Sequence, residues 1–109
     1  MKEKRHYERL DLVGYDYDCS ILLEGRQCYA RLHDVSQGGA RFVLPHDFFA
    51  AAIGSFCRGE VIDEYCIAPY IKHNGYLVMW WGNNEIGVSF SYPLLGDYEV
   101  LRRHYDPLG

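Results

Sequence analysis

Apolar and polar residues alternate along this chain with a period of two, in short runs separated by turn residues. From residue 27 to 33, Cys28, Ala30 and Leu32 occupy one face and Gln27, Tyr29 and Arg31 the other. That alternation suits a pleated strand with one side against a core. Residues 16–23 read as a preceding strand, and "EGR" at 24–26 as the hairpin turn, with glycine supplying the unusual backbone angle. A third strand follows a Gly-Gly corner, where Ala40, Phe42 and Leu44 alternate with Arg41 and Val43, and Pro45 ends it. Residues 55–67 are extended with a weaker pattern. Residues 76–81 and 85–91 form a late pair around "GNN", with Ile86, Val88 and Phe90 facing one way and Gly87 and Ser89 the other. The segment "HDFFAAAIG" fits either a short helical turn or a loop over one end of the fold.

The period changes at the C-terminus. Leu94, Tyr98, Leu101 and Tyr105 fall at helical spacing, Pro93 suits a first turn and Pro107 a stop. Asp97 and Glu99 precede Arg102, Arg103 and His104, the order that complements a helix dipole. Five or six strands and one late helix predict a mainly β fold, a small antiparallel barrel, because closure removes exposed strand edges. Ten tyrosines and two tryptophans suit such strands. At 109 residues and 49% hydrophobic content, the chain makes one domain with its own core. The expected layout is a flexible basic arm over 1–10, the barrel over 11–92 and the helix over 93–105.

Several function classes lose support at this level. No apolar run approaches the roughly 18–20 residues that span a bilayer. The charged N-terminus lacks a following apolar region, which argues against a secretory signal and for the cytoplasm. Cys19, Cys28, Cys57 and Cys66 lack metal-ligand spacing, so they read as reduced, mostly buried thiols. No P-loop, nucleophile elbow, dinucleotide fingerprint or zinc-protease motif is present. Asp63 and Glu64 are adjacent, and adjacent strand residues point to opposite faces. The expectation is therefore a protein with no catalytic residues, no metal and no cofactor. Net charge is −4, but the first nine residues carry +2 (four basic, two acidic) and the rest −6 (seven basic, thirteen acidic). Such a body repels nucleic acid, which binds through phosphate neutralisation, while a basic head catches a small anion.

Two stretches fit that anion. Arg5 and Arg9 lie four apart in "KRHYER", and a guanidinium fork matches a phosphate or the O6/N7 edge of guanine. In "HDVSQGGARF", Asp34 can accept the N1 and N2 protons of guanine, Ser36 can donate to a phosphate oxygen, and Gly39 permits close backbone approach or a positive φ. His33 and Arg41 flank this second stretch at the rim.

In that order, "RHYER" and "DVSQGG", with "VMWWGNNEIGVSFS" and a closing helix downstream, resemble the PilZ domain family across nearly the whole chain. The resemblance implies a six-stranded split barrel that binds the bacterial second messenger cyclic di-GMP. By that likeness Arg5 and Arg9 clasp guanine and phosphate from the arm, and Asp34, Ser36 and Gly39 form the fixed half of the site. Lys4 stands where several members carry another arginine, and meets a phosphate only as a point charge. Some members stack an aromatic from the late hairpin on a guanine; Trp80 is the candidate here, with Trp81 the alternative. The implied mechanism is an arm that orders on the ligand and changes the surface a partner protein reads. The expected state is a monomer or weak dimer. The alternative is a PilZ-like adaptor in pilus or flagellar assembly that binds protein and no nucleotide.

Overall fold

The computed structural model describes residues 7–15, 17–45, 58–61, 67–73 and 75–105. Seven strands and one helix lie in these segments: β1 (Leu10–Asp11), β2 (Asp18–Leu23), β3 (Arg26–Val35), β4 (Gly39–Val43), β5 (Arg58–Val61), β6 (Gly75–Gly82), β7 (Glu85–Phe90) and α1 (Tyr98–Tyr105). A 3-10 turn spans Ala68–Tyr70. All strand pairings are antiparallel. The order β3-β2-β5-β6-β7-β4 returns to β3, so six strands close into a barrel, and β1 adds to β3 outside the closure.

The alternation seen in the sequence is the inside-outside pattern of this barrel. Ala30, Leu32, Ala40, Phe42, Ile86 and Val88 are buried inward, while Tyr29 and Ser89 face solvent. Truncating a buried aromatic such as Phe42 to alanine costs about 3–5 kcal/mol. Both tight hairpins use two-residue turns with positive φ at both central positions, Glu24 (50°) and Gly25 (82°), then Asn83 (53°) and Asn84 (64°). That geometry matches the right-handed twist of the flanking strands.

Three expectations are corrected. The arm does not run to residue 10: Leu10 is buried and pairs with Val35, because an apolar side chain there completes the core beside β3. The helix begins at Tyr98, not at residue 93. Asp97 caps it, its carboxylate accepting from the Val100 amide at 3.1 Å. Leu94 is buried ahead of the helix, where the Gln37 carbonyl accepts from its amide at 2.7 Å. Cys19, fully buried on β2, is disulfide-bonded rather than a reduced thiol, and Cys28 is not in a disulfide. Sequence spacing does not reveal such a bond, which depends on which strands meet in space.

Helix α1 packs beside β1 and joins the core through Leu101 and Tyr105. The Tyr17 hydroxyl donates to the Tyr105 carbonyl, and the two rings meet edge to face at 4.9 Å. The segment at residues 46–54 lies outside the described residues. No helix among them is long and apolar enough to cross a membrane.

Candidate functional site

Between β3 and β4 the chain turns through Ser36, Gln37 and Gly38, and this corner is fastened from three sides. Inside the turn, the Ser36 amide donates to the Gly39 carbonyl at 2.8 Å. The Phe90 amide on β7 donates to the Gly38 carbonyl at 2.9 Å. Gln37 is tied to Leu94 twice, since its amide side chain also donates to the Leu94 carbonyl at 2.9 Å. Each net bond is worth about 1 kcal/mol, so together they make the corner a rigid element.

Ser36 and Gly39 are both held within this corner. Ser36 is only 5% exposed. Its hydroxyl accepts from the Gly38 amide at 3.3 Å and donates to the Gly39 carbonyl at 3.4 Å, so it braces the turn while Ser36 also lines the cleft described below. Gly39 does not need a positive φ. A side chain there would run into the Val88 carbonyl of β7, so glycine is required by close strand approach.

Asp34, near the end of β3, stands between two arginines. Arg9 Nη1 donates to Asp34 Oδ1 at 2.6 Å, and Arg41 Nε lies 3.2 Å from Oδ2. The second contact is an ion pair without hydrogen-bond geometry, since Arg41 Nε is buried and makes no hydrogen bond. Arg41 Nη1 also lies 3.5 Å from Glu85, and Glu85 is 3.9 Å from His33. A chain of alternating charge thus runs from the arm across the outer face to the late hairpin. The arm is also held by packing, with the Tyr7 ring lying against Gly38, 2.8 Å from where a Cβ would stand. So Arg9 is engaged with the corner.

Trp80 completes the arrangement. The β6–β7 pairing slips by one residue between Val78 and Trp80, leaving Met79 as the extra residue of a bulge. The bulge breaks the strict inward-outward alternation, so Trp80 is 46% and Trp81 38% exposed. Trp80 pairs with Gly87 and Trp81 with Ile86, so the two rings leave the sheet on different faces. The Trp80 indole lies over Gly87.

These groups surround one cleft of about 460 Å³, within the range that small-molecule sites occupy. Tyr7, Arg9, Asp34, Ser36, Gly39, Arg41, Met79 and Trp80 line it; Trp81 does not. Lys4 and Arg5 lie outside the described residues. Tyr7 and Met79 were not singled out by the sequence reading. The signal for Gly87 was present as an interruption of an apolar strand, which marks a close approach. Among the described residues, no three metal-ligating side chains converge.

The chain matches the family profile described as PilZ domain over residues 3–106. Comparison with curated proteins and with solved structures gave no significant match. A match over nearly the whole length, on a closed six-stranded barrel with a C-terminal helix, makes this chain a member of the PilZ domain family.

Proposed function

We propose that this protein is a receptor for cyclic di-GMP, the ligand associated with its family, and that nucleotide binds in the cleft between the corner and the late hairpin. One observation carries the reading: Arg9, Asp34 and Trp80, more than 70 positions apart at the extremes, line a single cleft. Their chemistry suits a purine bearing a phosphate, with a guanidinium fork, an edge acceptor and a stacking face. Arg5 and Lys4 join from the arm in this reading. Ser36 and Gly39 keep the corner in shape.

Binding replaces an internal pair. The Arg9–Asp34 contact is partly exposed, and such pairs are worth about 0.2–1 kcal/mol. A bidentate arginine–guanine contact is worth about 1–3 kcal/mol, so ligand wins the exchange. Once Arg9 turns to the ligand, the arm changes course over the barrel, and a partner protein reads the altered face. In this reading the protein is bacterial, as its ligand is, and acts by binding rather than by catalysis.

Calorimetric titration of cyclic di-GMP into wild type and Arg9→Ala tests this. The expected result is a roughly 10- to 100-fold weaker affinity in the variant. Equal affinities would remove the arm from the mechanism. A flat titration with folded wild type would favour the protein-binding adaptor.

A further inference from the structure

Four residues form one transverse row across the outer face of the barrel. Asp34 on β3 pairs with Arg41 on β4, Arg41 pairs with Gly87 on β7, and Gly87 pairs with Trp80 on β6. No two adjacent members of the row are closer than seven positions in sequence. At each step the residues face the same side of the sheet, because directly paired residues share a face.

Each position has a distinct consequence. Gly87 has no side chain, and the Trp80 indole fills that space: a Cβ on Gly87 would overlap Nε1, Cε2 and Cζ2 of the ring. The indole therefore lies down along the row, toward Arg41, instead of standing off the sheet. Arg41 meets Asp34 on one side and Glu85, at the base of the late hairpin, on the other. It holds the Asp34 oxygen that Arg9 does not use. From the Gly87 position to Asp34 is two interstrand spacings, about 10 Å. That is the reach of one purine ring system plus one hydrogen bond.

With Trp80 stacking and Asp34 accepting from the base edge as the family resemblance implies, we propose that Arg41 and Gly87 are the positioning residues of this guanine-reading strip: Gly87 seats the indole flat and Arg41 directs the Asp34 carboxylate. The inference rests on the nucleotide reading above and deepens it. When Arg9 leaves for the ligand, Arg41 stays on Asp34, so the carboxylate remains paired and directed along the row. Asp34 then takes the N1 and N2 protons of guanine, and discrimination depends on the 2-amino group.

The first experiment needs no ligand. In a Trp81→Phe background, Trp80 is the sole tryptophan emitter. Gly87→Ala should lift the ring, shift its emission to the red and raise its quenching by acrylamide. Unchanged emission and quenching would overturn the seat. Combining Gly87→Ala with Trp80→Ala removes both members of the contact. Its melting temperature should match that of Trp80→Ala alone, and a further drop would place the alanine's cost elsewhere.

The second experiment reads specificity by titrating cyclic di-GMP and its inosine analogue, which lacks the 2-amino group. Wild type should prefer cyclic di-GMP by at least about tenfold. Arg41→Met should bring the two ligands within about threefold, and Arg41→Lys should restore part of the difference. Wild-type binding with an unchanged ratio in Arg41→Met would overturn the strip while leaving the receptor reading intact. No binding of either ligand by folded wild type would overturn both.

Discussion

Rings packed over glycines occur on two walls of this barrel, with opposite orientation. On the wall of β3, β4, β7 and β6, Gly38 and Gly87 carry Tyr7 and Trp80 on the outer side, where both rings line the cleft. On the opposite wall, Gly59 of β5 carries the Tyr76 ring on the inner side. There the Tyr76 hydroxyl crosses to the Leu22 carbonyl at 2.8 Å, and the ring is almost fully buried. The inner ring is locked by packing and a hydrogen bond. The outer rings border the cleft instead. The same lack of a Cβ therefore serves stability on one wall and seats a ring beside the cleft on the other.

Substitutions sharpen or break this contrast. Gly59→Ala should have the largest effect on stability, because the new methyl meets the Leu22 carbonyl and displaces Tyr76. Overpacking and a lost hydrogen bond together cost about 2–4 kcal/mol. A thermal melt should fall by roughly 10 °C or more, and an unchanged melt would mean the inner ring is not locked. Trp80→Ala should do the reverse. Base stacking is worth about 1–3 kcal/mol, so cyclic di-GMP should bind roughly 5- to 150-fold more weakly, with the melt almost unmoved. A large stability loss there would erase the distinction between the walls.

Tyr76→Phe keeps the ring and removes only the hydroxyl. It should cost about 1 kcal/mol in chemical denaturation and leave ligand affinity unchanged. The smallest effect belongs to Gly38→Ala, which displaces the Tyr7 ring at the surface. Stability should stay within about 0.5 kcal/mol, while amide exchange at residues 7–9 rises. Protection equal to wild type would show that Tyr7 does not hold the arm to the corner.

Much of the barrel was legible because strands and tight turns are local. The inward sets Ala40/Phe42 and Ile86/Val88/Phe90 follow from a period of two. The turn at Glu24 and Gly25 follows from glycine at a position needing positive φ. The helix start was misplaced because Leu94 and Pro93 mimic a helical face and first turn, while tertiary bonds to Gln37 hold that segment extended from the helix proper. Leu10 looked like part of a polar arm until β3 offered it an edge.

The amino-acid order alone determined the pieces of the site: the arginine of the arm, the acid-hydroxyl-glycine corner and a pair of tryptophans. Tertiary structure decided which tryptophan faces the cleft, through the bulge at Met79. It also turned Ser36 inward, engaged Arg9 with Asp34, and aligned Asp34, Arg41, Gly87 and Trp80 in one row. The physical reason is that neighbours across a closed sheet are set by strand order and register, and neither is encoded within any single stretch of chain.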